Sequence, residues 1–157
     1  MEGKPVRESQ AQMTEIVLPN DANPLGAMLG GRLMHLVDIA AAIAGHRHSR
    51  RHLVTASVDH LDFHHPVRVG QVVVLMSSVN RVWHTSMEIG VKVFSEDIPT
   101  GKRLHTCSAY LTFVALDEQG NKVPVAPVIP ETEEEQRRYR QAEERRQYRL
   151  AHRGRAR

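Results

Sequence analysis

Cysteine is almost missing from this chain: Cys107 is the one cysteine in 157 residues, so an internal disulfide is excluded. Aromatic residues make up only 4%, and there is no run of about 18 apolar residues that would cross a bilayer. The first residues also lack the apolar stretch of a secretory signal. We therefore expect a cytoplasmic protein without a membrane partner, in which Cys107 packs in the core.

Positive charge is in excess only at one end of the chain. Residues 1–130 hold 12 basic and 12 acidic side chains, whereas residues 131–157 hold 9 basic and 6 acidic ones. Surfaces that bind nucleic acid usually combine a basic face with aromatic residues or a recognition motif. Because the surplus of +3 is confined to the tail, no nucleic-acid partner is expected.

The remaining pattern predicts one compact α+β domain. Residues 1–12 are polar and predict a flexible arm, residues 13–130 form the domain, and residues 131–157 form a charged helical tail. A long helix is predicted over 31–46, apolar nearly all round and therefore buried. Stretches rich in β-branched residues predict antiparallel strands that curve around this helix, at 13–18, 52–63, 71–81, 85–95 and 103–116.

The tail combines strong helix formers with almost no apolar residues. Glu133 and Glu134 precede Arg137 and Arg138 by four residues, a spacing that supports a helix through ion pairs on its surface. We expect a helix over about 131–152 that is exposed to solvent.

Asp38 is the residue that most strongly indicates chemistry. It lies in the middle of LMHLVDIAAAIAG, where burial penalises an unpaired carboxylate. One interpretation is a structural carboxylate that a hydrogen bond or an ion pair satisfies. The other is a general base or a nucleophile whose reactivity burial tunes. The pattern alone leaves both open.

A glycine-rich loop opens directly into the helix, in the pattern N-x-x-G-x-x-x-G-G formed by Asn23, Gly26, Gly30 and Gly31. Glycine lets the backbone approach a ligand, and the first N–H groups of a helix are unpaired and carry a partial positive charge. Such a helix end suits a developing oxyanion. A plain turn with a helix cap explains the same glycines, so the loop indicates a site only in combination with Asp38.

The motifs together resemble the hotdog-fold acyl-CoA thioesterases of the cytosolic acyl-CoA hydrolase type. The resemblance covers about residues 13–130 and rests on the order and spacing of DANPLGAMLGGRLMHLVDIAAAIAG, VTASVDHLDFHHPVRVGQVV, VWHTSMEIGVKVFSED and CSAYLTFVALDEQGNKVPV. It implies a hotdog fold, in which a curved antiparallel sheet wraps a long central helix, followed here by the charged C-terminal helix. It also implies hydrolysis of fatty acyl-CoA to free fatty acid and coenzyme A, a reaction of lipid metabolism. Leu29 departs from the His or Phe that is frequent at its position, which alters the pocket more than the chemistry.

The resemblance further implies a site shared between two chains. Two hotdogs pair side by side as a homodimer, and a trimer of such dimers, a hexamer, is the expected assembly. Asn23 in the loop and Asp38 in the helix correspond to the family's catalytic pair, contributed by opposite members of the hotdog pair. The N–H groups of Gly30 and Gly31 are expected to stabilise the tetrahedral intermediate. Whether Asp38 activates water or attacks the thioester stays open.

Coenzyme A is expected as part of the substrate and product, with no other cofactor. Thr85 and Ser86 fall where the resemblance places polar contacts to it, and its phosphates call for basic groups near the mouth of the site. The candidates are Arg68 and Arg81 in first place, and then Arg47, Arg50 and Arg51. Six of the ten histidines fall at positions 46 to 65, spread over a loop and both faces of a strand, so no metal site is expected.

Three other functions fit parts of the sequence. A hotdog hydratase or dehydratase would pair His35, three residues before Asp38, with the acid. A non-catalytic acyl-CoA-binding hotdog protein that regulates transcription would need a DNA-binding segment, for which the 12 residues before the first strand are too few. A scaffold assembled through the charged tail leaves the spacing of Asn23 and Asp38 unexplained. The lack of a G-x-S-x-G elbow argues against an α/β-hydrolase.

Overall fold

The computed structural model describes residues 1–153. The main elements are a five-stranded antiparallel sheet, a 20-residue central helix and a C-terminal helix. In chain order the elements are β1 (Lys4–Pro5), β2 (Ala11–Ile16), α1 (Gly30–Ser49), β3 (His52–Asp59), β4 (Val72–Val82), β5 (Ser86–Glu96), β6 (Arg103–Leu116), β7 (Val128–Ile129) and α2 (Glu133–Ala151). The predicted α+β layout is confirmed. Within the described residues, neither helix has the length and apolarity needed to cross a membrane.

The five long strands form one antiparallel sheet in the order β2-β4-β5-β6-β3. Side chains alternate between its two faces, and the face that carries Val73, Leu75 and Val79 packs on α1. On the same face, the hydroxyl of Ser77 donates to the carbonyl of Ala40 in α1 at 2.7 Å. We call this the inner face and the opposite one the outer face. The core lies between the inner face and one side of the helix.

The central helix α1 begins one residue before its predicted start and ends three residues after its predicted end. It approaches the sheet closely at Gly45, where a Cβ would stand 2.6 Å from Leu53 and 2.8 Å from Ile89. The prediction of burial on all sides is wrong, because Met34 is 45% exposed. One side of the helix is therefore open within this chain.

The N-terminal segment is part of the domain, and the predicted flexible arm differs from the structure. Val6 is 3% exposed, and the hydroxyl of the fully buried Ser9 accepts from the backbone N–H of Val79 at 3.0 Å. Lys4 donates to the carbonyl of His48 at 2.9 Å, and β1 pairs with β7 in parallel. The segment packs through one apolar residue and a few polar contacts, so its sequence shows no hydrophobic repeat. The domain boundary predicted after residue 12 therefore does not hold.

The strand β3 is shorter than predicted. It ends at Asp59 rather than at residue 63, because the positive φ of 20° at His60 interrupts the extended chain. The loop that follows carries Phe63 back to the start of α1, where its ring lies 3.6 Å from the position of a Cβ on Gly30.

The predicted C-terminal helix is present as α2 and most of its residues are exposed, but one side of it lies on the outer face of the sheet, which the sequence did not predict. Ala142 is fully buried, and Tyr139 packs against the core. The guanidinium group of Arg145 lies 3.6 Å from the ring centre of Tyr110 in β6. Arginine in a sequence usually marks a solvated face, whereas here it stacks on an aromatic ring. The predicted tail residues 154–157 lie outside the described residues.

Candidate functional site

Asn23 holds the loop before α1 in a fixed shape. Its side-chain Oδ1 accepts from the backbone N–H groups of Leu25 at 3.0 Å and Ala27 at 3.1 Å. Its own N–H donates to the carbonyl of Ala27 at 2.8 Å, and Gly26 turns the chain with a φ of 80°. Because both side-chain contacts use Oδ1, the Nδ2 amide group is oriented and remains as a donor.

Gly30 and Gly31 form the first turn of α1, where the backbone N–H groups have no acceptor inside the helix. Both residues are exposed. A Cβ on Gly31 would meet no atom of the described chain within 4 Å, and one on Gly30 would lie at an ordinary contact distance from Phe63. Packing within the chain therefore does not require either glycine. The open space beside Gly31 leaves room for a group from outside the chain at this helix end, whose partial positive charge favours an anion.

Asp38 lies halfway along α1, and its carboxylate Oδ1 accepts from the hydroxyl of Thr55 at 2.7 Å. Thr55 belongs to β3, which is an edge strand of the sheet. The aspartate is only partly buried, so the predicted cost of burying its charge within one chain does not arise. Its partner is a neutral hydroxyl group rather than a cation, which leaves the second carboxylate oxygen for chemistry.

Thr55 is the site residue that the sequence analysis overlooks. The sequence feature that could have indicated Thr55 is its position two residues after the apolar Leu53, because side chains two apart in a strand share a face. Leu53 packs against α1 near Gly45. A polar residue on the face that covers the apolar helix indicates a polar partner there, and the partner is Asp38.

The predicted catalytic residues do not meet inside a single chain. Asp38 follows Gly30 by eight residues of α1, which corresponds to about 12 Å along the helix axis. Reacting atoms must come within about 3 Å of each other. One group consists of Asn23 and the two glycines at the start of α1, and a second group consists of Asp38 and Thr55.

The surface around Asp38 is apolar and open. Met34 on α1 and Val58 on β3 are each 45% exposed. One edge of β3 has no strand neighbour within residues 1–153. We name this surface, formed by Met34, Asp38, Val58 and the open edge of β3, the α1–β3 face. Exposed apolar side chains beside an open strand edge are typical of a protein contact surface.

The two arginines predicted for the coenzyme A phosphates have different surroundings. Arg68 is exposed, and its backbone forms an isolated antiparallel β-bridge with Ala27 in the Asn23 loop. Arg81 is partly buried, where its Nη1 donates to the carbonyl of Tyr139 at 3.2 Å and its guanidinium group lies 3.9 Å from the ring centre. Arg81 thus attaches α2 to the sheet, and its predicted contact with a phosphate stays a prediction.

The remaining candidates for coenzyme A lie elsewhere on the chain. Ser86 points to the outer face, because the next residue, Met87, is fully buried on the inner face. Thr85 lies in the turn just before it, where its carbonyl accepts from the backbone N–H of Ala115 at 2.9 Å. Arg47 and the exposed Arg50 and Arg51 lie at the far end of α1, about 30 Å from Gly30. Their contact with coenzyme A stays a prediction.

Two other groups that carry reactive atoms are buried away from this surface. Burial raises the pKa of the Cys107 thiol to about 11, which keeps the thiol protonated in the core, as predicted. Burial also lowers the pKa of His48, whose Nε2 lies 2.7 Å from the carbonyl of Ala126.

His35, which the hydratase alternative requires, is exposed on α1. Across residues 1–153, no three His, Cys, Asp or Glu side chains are grouped so that they could hold a metal ion.

Asp38 and Thr55 lie in a part of the chain that matches a known family. Residues 25–102 match the family model described as the thioesterase superfamily. A protein of Bacillus subtilis (strain 168), described as an uncharacterized acyl-CoA thioester hydrolase, is 46% identical over 129 residues, which cover 82% of this chain and 75% of that one.

Solved structures match the fold over nearly the whole chain. A hexameric acyl-CoA thioesterase in its apo form has a TM-score of 0.95 at 38% identity, covering 98% of this chain and 99% of that chain. The acyl-CoA hydrolase of Staphylococcus aureus, in complex with butyryl coenzyme A, coenzyme A and coenzyme A disulfide, has a TM-score of 0.90 at 35% identity, covering 96% and 92%. Further structures of that hydrolase carry alanine in place of an aspartate, an asparagine or a threonine. The fold that the resemblance implied is confirmed.

Proposed function

Because this chain belongs to the thioesterase superfamily, we propose that it hydrolyses fatty acyl-CoA to a free fatty acid and coenzyme A. The observation that carries the proposal is the Asp38 carboxylate, which lies on an open surface and is held by one neutral donor. A carboxylate so placed can act as a general base or as a nucleophile. The names of the Bacillus and Staphylococcus proteins support the substrate class. No cofactor is needed beyond the coenzyme A of the substrate.

A shared spacing supports the choice of residues. The asparagine, aspartate and threonine that are substituted in the Staphylococcus hydrolase are 15 and 17 residues apart. Asn23, Asp38 and Thr55 have the same spacing. In this chain Thr55 donates to Asp38, so we assign Thr55 the role of orienting the carboxylate.

The proposed active site combines two subunits. The separation of about 12 Å along α1 prevents Asp38 from acting on a thioester held at Gly30 of the same chain. A second copy on the α1–β3 face would cover Met34 and Val58 and bring its own Asn23 loop to Asp38. A twofold dimer then contains two equivalent sites. We further propose a trimer of these dimers, which the similarity to a hexameric thioesterase supports.

Hydrolysis in this arrangement proceeds through a tetrahedral intermediate. The N–H groups of Gly30 and Gly31 donate to the thioester oxygen, and one such donor stabilises the transition state by about 3 kcal/mol. In one route, Asp38 of the partner subunit takes a proton from water while the water oxygen attacks the carbonyl carbon, and the carbon–sulfur bond of the adduct then breaks with coenzyme A leaving as the thiolate. In the other route, Asp38 attacks that carbon itself, coenzyme A leaves as the thiolate to give a mixed anhydride, and water then hydrolyses the anhydride to regenerate Asp38. The Nδ2 group of Asn23 donates to the water or to the thioester.

A thiol-release assay over acyl-CoA substrates of increasing chain length tests the proposal. We expect wild type to release coenzyme A, and Asp38→Ala and Asn23→Ala to lower kcat by about 100-fold or more. Glu118→Ala, in an exposed turn, is the matched control and should keep the wild-type rate. Cys107 adds no background, since its thiol is buried. The proposal fails if no acyl-CoA releases thiol, or if Asp38→Ala is as active as wild type.

A further inference from the structure

The edge strand β3 is attached to helices on both faces of the sheet. On the inner face, Thr55 donates to Asp38 of α1 at 2.7 Å. On the outer face, the Oδ2 of Asp59 accepts from the Nη1 of Arg149 in α2 at 2.6 Å. Since β3 has a single strand neighbour, β6, among residues 1–153, these two side-chain contacts contribute to its position.

A β-bulge is what allows one strand to make both contacts. Thr55 and Asp59 are four residues apart and would share a face in a regular strand, because side chains alternate. The register with β6 shifts between Thr55 and Ser57, which reverses the alternation. Thr55 consequently pairs with Phe113 of the core, whereas Asp59 pairs with Tyr110, which lies under α2.

The outer contact belongs to a sheltered network of charges. The side chains of Asp59 and Arg149 are 17% and 22% exposed. Beside them the fully buried Glu88 accepts from Nε and Nη2 of Arg145 at 2.7 and 2.8 Å. Burial raises the pKa of Asp59, although Arg149 opposes this shift. Ion pairs removed from water are costly to break and fix the geometry of their partners, so α2 helps β6 to fix where the end of β3 lies.

We propose that Arg149 is a positioning residue for the hydrolytic reaction. By holding Asp59 it fixes the edge strand, and with it the Thr55 hydroxyl group that orients Asp38. The inference rests on the proposed function, because it requires Asp38 to act on the substrate. The C-terminal helix α2 thereby affects the reaction at Asp38, although it lies on the opposite face of the sheet.

The first measurement is the effect of Arg149 on kcat and KM. In Arg149→Ala we expect kcat to fall about tenfold and KM to change less than about twofold, because a displaced carboxylate slows the chemical step without removing contacts to coenzyme A. Arg149→Lys keeps one donor for Asp59 and should recover most of the rate. Glu143→Ala is the matched control, since Glu143 accepts from Trp83 Nε1 at 2.8 Å and so anchors the same helix to Trp83 rather than to a residue of β3. Its kcat should equal that of wild type.

A double-mutant cycle separates positioning from a general loss of structure. If Arg149 acts through Thr55, adding Arg149→Ala to Thr55→Ala lowers kcat no further. Independent, multiplicative losses, or an equal loss in Glu143→Ala, overturn the inference. Should circular dichroism show that Arg149→Ala does not fold, Asp59→Asn removes the same ion pair at constant size and replaces it in the cycle. A wild-type rate in Asp38→Ala would instead refute the proposed function, so the two failures are distinguishable.

Discussion

His48 is buried at the end of α1, beneath the N-terminal segment. Its Nε2–H donates to the carbonyl of Ala126, and its Nδ1 has no hydrogen-bond partner among residues 1–153. Burial lowers the pKa of the ring, an effect that the hydrogen bond to Ala126 partly opposes; the charge of Lys4 lowers the pKa further and that of Glu8 raises it. The folded protein therefore holds this ring neutral at neutral pH, and protonation would bury an unpaired charge.

Stability is predicted to decline in mildly acid solution because of His48. The unfolded chain takes up a proton on this ring near pH 6.5, whereas the folded state resists it. The contribution of the neutral His48 ring to the free energy of unfolding is fully present above about pH 6.5. It is lost as the pH falls from there toward the lowered pKa of the folded state. Thermal unfolding midpoints between about pH 7.5 and 5 should show the decline. His48→Gln, which keeps a donor for Ala126, should flatten it, whereas His46→Gln, at an exposed site, should not. A decline equally steep in both variants contradicts the assignment.

Single site residues can be found in the sequence where they interrupt a pattern. Asp38 interrupts an apolar helix, and Asn23 precedes glycines at a helix start. Thr55 interrupts nothing, because threonine is common in strands, and its contact with Asp38 depends on how β3 packs on α1. The predicted burial of Asp38 within the chain is wrong because periodicity shows that a helix face is apolar, not whether the same chain or another one covers it.

At the scale of elements, α2 is attached to the sheet largely by charge. Arg145 donates to both carboxylate oxygens of the fully buried Glu88, and Asn80 donates to one of them at 2.9 Å. The guanidinium group supplies the charge that makes this burial tolerable. Its stacking on Tyr110 adds a contact that desolvation strengthens.

Removing only one member of this pair is expected to destabilise the protein strongly. Arg145→Met leaves Glu88 buried without a counter-charge, and the free energy of unfolding should fall by about 3–5 kcal/mol. The double variant Arg145→Met, Glu88→Gln should recover a large part of this loss, because neither charge then needs a partner. Arg140→Met, on an exposed part of the same helix, should change the free energy of unfolding by less than about 0.5 kcal/mol. Urea unfolding at fixed protein concentration measures all three. Equal losses in the single and double variants would refute this account of the pair.

Regular elements follow from periodicity, and the irregular ones do not. The helix α1 and the strands β2, β4, β5 and β6 lie within three residues of their predicted bounds, because each is long enough to show its period. The strands β1 and β7 have two residues each and show none. The bulge in β3 depends on pairing with β6, and the docking of α2 depends on aromatic partners that are distant in the sequence.

The proposed reactive groups occur in two sets that one chain keeps apart. The Asn23 loop with its glycine pair lies at the start of α1, and Asp38 lies about 12 Å further along. A twofold dimer on the α1–β3 face supplies each site with one set from each subunit. The exposed apolar side chains of that face are consistent with such a contact, since a second subunit would remove them from water.

Mixing two inactive variants tests this arrangement directly. Asn23→Ala subunits keep Asp38, and Asp38→Ala subunits keep Asn23, so a mixed pair contains one site with both groups and one with neither. Random reassembly of equal amounts makes about half of the pairs mixed, and activity should therefore return to about a quarter of wild type. Thiol release after joint refolding measures the recovery, with each variant refolded alone as the control. If each site took both groups from the same chain, every subunit in the mixture would lack one of them. A mixture no more active than the two variants refolded alone would therefore contradict the shared site.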